Sequence, residues 1–298
     1  DMRDHWSHWG TGAYISKLHY LATLNAERKV FTTARKVISV TQQVINDFQN
    51  AHPQLPKSKF LVIPNGFESN AMDYSDIQLY NKEKSIIGYM GEFYYSPLAH
   101  KTIFKKWYQK KPNRMLQYIP RIEDYKYRSP YYFFKTLHQL FIDKPELKNK
   151  IEFHYVGGHK DWLVDMVKEF NLEKNTVFHG RVNYSESLEI AKTFDYCLST
   201  SVKVTDGEDY ALASKTFDYL VLNKPILGFV TKGSQKTFLQ NSGVSFVFNP
   251  DNIKESSTQL KEIIEKPKTL KYNVPFLKEF ERENSAKKLA TIFKKEII

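Results

Sequence analysis

In the stretch from 208 to 230, EDYALASKTFDYLVLNKPILGFV, Lys215 and Asp218 stand three residues apart, just ahead of a short apolar run. On a helix that spacing brings an ammonium and a carboxylate to one face. A lysine in the first turn sits against the positive end of the helix dipole, unfavourable by roughly 0.3–1 kcal/mol until an anion binds there. A phosphate reverses the sign. The carboxylate can accept hydrogen bonds from a pair of ribose hydroxyls, so the two residues suit a nucleoside diphosphate. An exposed helical ion pair with no ligand, worth ~0.2–0.5 kcal/mol, fits them equally well.

The elements around the pair follow from periodicity. Leu212, Phe217, Leu220 and Val221 recur at helical spacing and Asn223 can end the helix, so a helix is expected from about Ala213 to 222, followed by an interior strand at 225–230. Further strands are expected at 85–90, 151–156, 176–180, 195–200 and 244–248, with helices at about 130–142, 159–170, 185–194, 234–241 and 254–266. Asn183 with Glu186 forms a capping box at one of these starts. Regular alternation with unbroken apolar strands predicts an α/β fold, a parallel sheet covered on both faces, with ligands beyond the carboxyl ends of its strands.

The first 80 residues read differently: a helix over about 12–33, a strand at 36–40, a helix at 42–49 and an apolar run at 59–67. Two strands are too few for an independent sheet. The chain opens on DMRDHW without a methionine, and the expectation is that an upstream part of this first domain precedes it. Phe276, Phe280, Leu289, Ala290, Ile292 and Phe293 predict a terminal helix bent around Glu283 to Ser285.

At 298 residues and 41% hydrophobic content the chain is long enough for two domains with real cores. A formal charge of +11 favours polyanionic partners. Cys197 is the sole cysteine, which excludes a disulfide framework and a cysteine-based zinc site and fits a reducing, cytosolic compartment. No run approaches the ~18 apolar residues of a membrane span. The densest basic cluster, HKTIFKKWYQKKPNR at 100–114, interleaves lysines with Phe104, Trp107 and Tyr108. That pattern suits an interfacial segment, and peripheral contact with an anionic membrane is an expectation beside the plainer reading of a solvated loop. Nucleic acid is not expected, since no recognition motif accompanies the charge.

His5 and His8 are three apart, but without a third ligand pattern no metal is assigned to them. Trp6 and Trp9 read as packing at a cleft edge, and His179 as a satisfied core histidine.

VIPNGFE (62–68) breaks an apolar strand at Pro64, Asn65 and Gly66, a turn suited to an interdomain connection. With DMRDHW before it and SKTFDYLVLNKPIL after it, the chain resembles a glycosyltransferase of the GT-B fold, family 4 type. GYMGEFYY (88–95), YRSPYYFFKTL (127–137), HYVGG (154–158) and VFHGRVNYSESLEIAKTFDYCLST (177–200) resemble that family's donor-domain segments in the right order. The resemblance implies two Rossmann-like domains with parallel sheets, the N-terminal one incomplete. The acceptor side would be 1–78, the nucleotide-sugar domain 79–272, and 273–298 a helix crossing back to the first domain. It implies a retaining sugar transfer from a nucleoside-diphosphate sugar to a hydroxyl of a glycan or lipid-linked acceptor, in glycan or surface polysaccharide synthesis. It also implies no metal or other cofactor; a cytoplasmic location, peripheral at the inner face of the membrane, is the expectation from the lone cysteine and the basic surface.

By the same resemblance, Lys215 and Arg128 would meet the diphosphate, with Arg121 a second cation. Asp218 takes the place of a ribose-binding glutamate one methylene longer, Thr216 lies between, and Gly91 lets the backbone approach the donor. Asp4 and His5 are acceptor-side candidates. There are departures. The acidic residue eight positions before the ribose carboxylate falls on Tyr210, with Glu208 and Asp209 as neighbouring substitutes, and 92–126 is a long insertion. A sugar-nucleotide epimerase on the same fold and a non-catalytic nucleotide-binding scaffold are the alternatives.

Overall fold

A computed structural model describes residues 1–8, 13–266 and 268–297. The first unit comprises α1 (Lys17–Thr33), β1 (Val37–Ser39), α2 (Gln42–Ala51) and β2 (Phe60–Val62), with β1 and β2 parallel. Ser16 and Thr41 cap the two helices by accepting from the amides of His19 and Val44. Phe31, Val44, Phe48 and Phe60 form its apolar core.

After β3 (Ile77–Leu79) the chain builds the larger unit. Its elements are β4 (Ser85–Met90), α3 (Pro97–Ile103), β5 (Glu123–Asp124), α4 (Tyr131–Asp143), β6 (Ile151–Val156), α5 (Asp161–Glu169), β7 (Thr176–Gly180) and α6 (Tyr184–Lys192). Then follow β8 (Tyr196–Thr200), β9 (Lys203–Val204), α7 (Lys215–Val221), β10 (Ile226–Phe229), α8 (Ser234–Ser242), β11 (Ser245–Phe248), α9 (Ile253–Glu265), β12 (Lys268–Leu270), α10 (Val274–Lys278) and α11 (Arg282–Ile297).

Six of these strands form one parallel sheet in the order β11-β10-β8-β4-β6-β7. They are the six expected from the apolar runs. The strand order reverses between β4 and β8, and at such a switch point the flanking loops diverge to leave a crevice beyond the carboxyl ends. Gly88 in β4 has no room for a Cβ because the Phe194 ring lies against it, so the sheet and the end of α6 approach closely there.

Three expectations shift. α7 begins at Lys215, two residues after Ala213, and α1 begins at Lys17; residue 12 lies outside the described residues. The terminal helix breaks between Lys278 and Arg282 rather than at Glu283 to Ser285. The cause is tertiary: Phe67 donates to the Phe280 carbonyl at 3.2 Å and accepts from the Arg282 amide at 2.9 Å, which spends helix-forming groups on a crossing segment.

Arg282 and Lys288 of α11 then bond to the Gly66 and Val62 carbonyls, so the terminal helix lies against the end of the first unit. The pairings β3–β12 and β5–β9 were not expected from sequence, since two- or three-residue strands carry too little alternation to read.

Candidate functional site

Two adjoining cavities open at the switch point. One, of about 810 Å³, is lined by Gly91, Arg128, Lys215 and Asp4; the other, of about 1470 Å³, by Asp218, Tyr184 and Arg282. Arg3, Asn65 and Ser214 line both, so α7 presents Lys215 to one and Asp218 to the other across a shared wall. A ligand with an anionic end and a polar ring could span them.

Each residue is held by identifiable contacts. Lys215 at the head of α7 donates to the Tyr89 hydroxyl at 2.6 Å and lies over that ring, 3.9 Å from its centroid. Gly91 follows β4 with φ of +84°, in the left-handed region that suits glycine, and a Cβ there would stand 3.5 Å from the Lys215 ammonium. Arg128 stacks over the exposed ring of Tyr94 at 4.7 Å. Burial, with Arg128 adding repulsion, lowers the Lys215 pKa to about 7. Of the carboxylates on the same cavity, Glu92 is paired with Lys160 and Glu123 with Arg121, which leaves Lys215 and Arg128 as basic groups that an anion could approach.

Asp218 accepts from the Tyr184 hydroxyl at 2.9 Å. Burial raises its pKa, against the Tyr184 hydrogen bond and the charges of Lys215 and Arg282. The α7 position itself is fixed by Tyr219, whose hydroxyl accepts from the Met90 amide at 3.1 Å, and by Gln235 of α8. Gln235 is buried and donates to Ser199 at 3.0 Å and Thr216 at 2.9 Å, while its carbonyl accepts from the Ala213 amide at 2.8 Å.

Of the residues singled out from sequence, Gly91, Arg128, Lys215, Asp218 and Asp4 gather on these cavities, and five others take different places. Thr216 is fully buried in the Gln235 contact, facing away from the cleft because it lies one residue round the helix from Lys215. Arg121 is spent on protein groups: its guanidinium pairs with Asp47 and Glu123, donates to the Glu208 carbonyl at 2.7 Å and lies over the Tyr210 ring. Glu208 pairs with Lys232 at 2.6 Å.

Asp209 is buried, bonded to the Ala211 amide through one oxygen, and its pKa rises to about 7 through desolvation. His5 is buried too, its ring edge-on to Tyr210 at 4.3 Å and hydrogen-bonded to Asp47 at 2.9 Å. His5 and Arg121 therefore belong to an interdomain cluster rather than to the cavity. Tyr210 explains its own departure from the acidic pattern: its ring joins the apolar core of the first unit, and its carbonyl accepts from Thr41 at 2.7 Å. His179 lies on the edge strand β7, 3.1 Å from His154, rather than in the core. Trp6 is partly exposed, and Trp9 lies outside the described residues.

Sequence reading missed Tyr89, Tyr94, Tyr184, Arg3 and Asn65. Tyr89 and Tyr94 were legible only as part of the strand–glycine segment. Tyr184 is 34 positions from Asp218 and carries no local signal linking them.

No protein-family model matches this sequence, and no curated protein matches it. Solved structures do. S. aureus TarM, in complex with Fondaparinux, alpha-GlcNAc-glycerol and UDP, superposes with a TM-score of 0.56 at 13% identity, over 97% of this chain and 50% of its own. Sucrose-phosphate synthase from Thermosynechococcus elongatus gives 0.55 at 12% identity, over 93% and 62%. WaaG, described as a glycosyltransferase involved in lipopolysaccharide biosynthesis, gives 0.52 at 15% identity, over 90% and 61%. The chain thus spans between half and about three-fifths of these structures' own length. At such identities the likeness shows the fold, and the fold is GT-B.

Proposed function

We propose that this chain binds a nucleoside-diphosphate sugar and transfers the sugar, with retained anomeric configuration and without a metal ion, to a hydroxyl of a glycan or lipid-linked acceptor. The observation that carries the reading is the meeting of Gly91, Arg128 and Lys215 at the switch point, with Asp218 one helical turn along. In it, Lys215 and Arg128 stabilise charge on the leaving diphosphate as the anomeric carbon–oxygen bond breaks. Asp218 exchanges its hydrogen bond from Tyr184 for the ribose hydroxyls. The acceptor oxygen bonds on the face the diphosphate leaves, and its proton departs with the phosphate. The GT-B fold and the UDP found with TarM support this reading. Placement in surface polysaccharide synthesis at the inner face of a membrane belongs to the same proposal.

The test is thermal stability with UDP, GDP, ADP and their sugar conjugates. A ligand at 100 times its Kd stabilises by ~2.7 kcal/mol. One base is expected to shift the transition, with Asp218→Ala weakening binding tenfold or more and Lys215→Ala lowering turnover further than affinity, roughly the division between ground-state and transition-state contacts. A folded chain that responds to no nucleotide, or variants that bind as the parent does, would overturn the assignment.

A further inference from the structure

Between Glu92 and Glu123 the chain has no acidic residue, yet it carries Lys101, Lys105, Lys106, Lys110, Lys111 and Arg114. Among the described residues none of these six forms an ion pair; the pairs of this stretch belong to His100 and Arg121. The same stretch holds large apolar side chains out in solvent: Leu98 is 77% exposed, Trp107 65%, Tyr108 59% and Leu116 78%. The first unit extends this surface. Tyr14 and Tyr118 form an antiparallel bridge that sets the following Ile15 beside the 116–117 backbone, and Ile15 and Leu18 are 73% and 78% exposed. The insertion therefore presents exposed apolar and aromatic side chains among cations and no acid of its own, and at the Tyr14–Tyr118 bridge it adjoins the exposed Ile15 and Leu18 of the first unit.

We propose that this face docks on an anionic lipid bilayer, with Trp107, Tyr108 and Leu116 at the headgroup boundary and the lysines on lipid phosphates. Charge complementarity selects this occupant. A protein-binding core is depleted in lysine, whereas unpaired lysines interleaved with tryptophan and tyrosine are what an anionic interface stabilises. Each lysine near such a surface contributes about fivefold in affinity.

The position of the face has a consequence for the acceptor, and that consequence rests on the transfer reading above. α3 carries Leu98 outward, while its Ala99, His100 and Ile103 line the cavity that holds Lys215 and Arg128. A docked molecule would open that cavity beside the bilayer, where a lipid-borne hydroxyl can enter.

The experiment is co-sedimentation of the full chain with phosphatidylcholine vesicles, with and without about one-third phosphatidylglycerol. Binding at least tenfold stronger to the anionic vesicles is expected, falling as salt rises. Combined Lys105→Glu, Lys106→Glu, Lys110→Glu and Lys111→Glu should abolish it, and Trp107→Ser with Leu116→Ser should lower it severalfold at unchanged thermal stability. The reading is overturned by no binding to anionic vesicles, by equal binding to neutral ones, or by variants that bind as the parent does. A protein as the true partner would appear as the first of these, and a soluble polyanion as anionic binding that Trp107→Ser with Leu116→Ser leaves unchanged. None of the outcomes depends on nucleotide binding, so docking and donor recognition fail or hold separately.

Discussion

Lys215 is where burial and charge act against each other. Its ammonium is worth little to the free protein, because burial and Arg128 bring its pKa down from 10.5 to about 7. The unfolded chain binds the extra proton between those values, so this residue's penalty is fully present below pH 7 and is relieved as pH rises from about 7 toward 10.5. A bound diphosphate reverses the preference, since an anion beside the amine favours its charged form. Nucleoside diphosphate binding above pH 7 should therefore take up a fraction of a proton that approaches one, and affinity should fall by as much as about tenfold per pH unit. Calorimetry in two buffers of different ionisation enthalpy measures the uptake. Lys215→Met should abolish both uptake and slope; a slope that survives the substitution places the titrating group elsewhere.

At the scale of elements, α7 is too short to hold its place by its own hydrogen bonds, and α8 supplies the restraint. Gln235 ties β8, the loop before α7 and α7 itself through three hydrogen bonds. Gln235→Ala leaves a part-buried amide and two buried hydroxyls without those partners, at about 1–3 kcal/mol for a lost buried partner. The expected outcome is a loss of ~2–4 kcal/mol in denaturant unfolding, together with weaker nucleotide binding, because Lys215 and Asp218 move with the helix. Gln235→Glu keeps the acceptor for the Ala213 amide and should recover part of the binding. Stability lost with affinity intact would mean that α7 keeps its position without Gln235, through contacts such as those of Tyr219 and Tyr272.

For the whole molecule the decisive contact is between units. Arg121 of the insertion meets Asp47 of α2 and Glu123 beside it, under the Tyr210 ring. Burial works against the Asp47 carboxylate, but the hydrogen bond from His5 and the charge of Arg121 outweigh it and hold its pKa low. Burial raises the pKa of Glu123. Arg121→Ala removes the cation from two carboxylates, leaving Asp47 with His5 and Gln43 and Glu123 with the Tyr125 hydroxyl, so the loss should sit at the lower end of the about 3–5 kcal/mol of a broken buried pair. The first unit, with two paired strands among its described residues, should then unfold ahead of the six-stranded sheet, giving two calorimetric transitions instead of one. Nucleotide affinity should fall less than in Arg128→Ala; the reverse order would return Arg121 to the donor site.

The larger sheet was legible because its six strands are continuous apolar runs, and a run of that kind is stable only where helices cover both faces. The Lys215–Asp218 pair was legible because helical spacing is local, and so was the Asn183 cap. Composition alone marked the insertion as basic and aromatic. What the sequence left open was everything that depends on which distant groups share a space. Thr216 and Lys215 are adjacent in the chain, yet a 100° step around the helix buries one against Gln235 and turns the other to the cavity. Arg121 and Arg128 read as equivalent cations until Asp47 and Glu123 claimed one of them. Tyr210 read as a missing acid until the core of the first unit was seen to enclose it. Local spacing fixes which face a side chain takes, but only packing decides what that face meets.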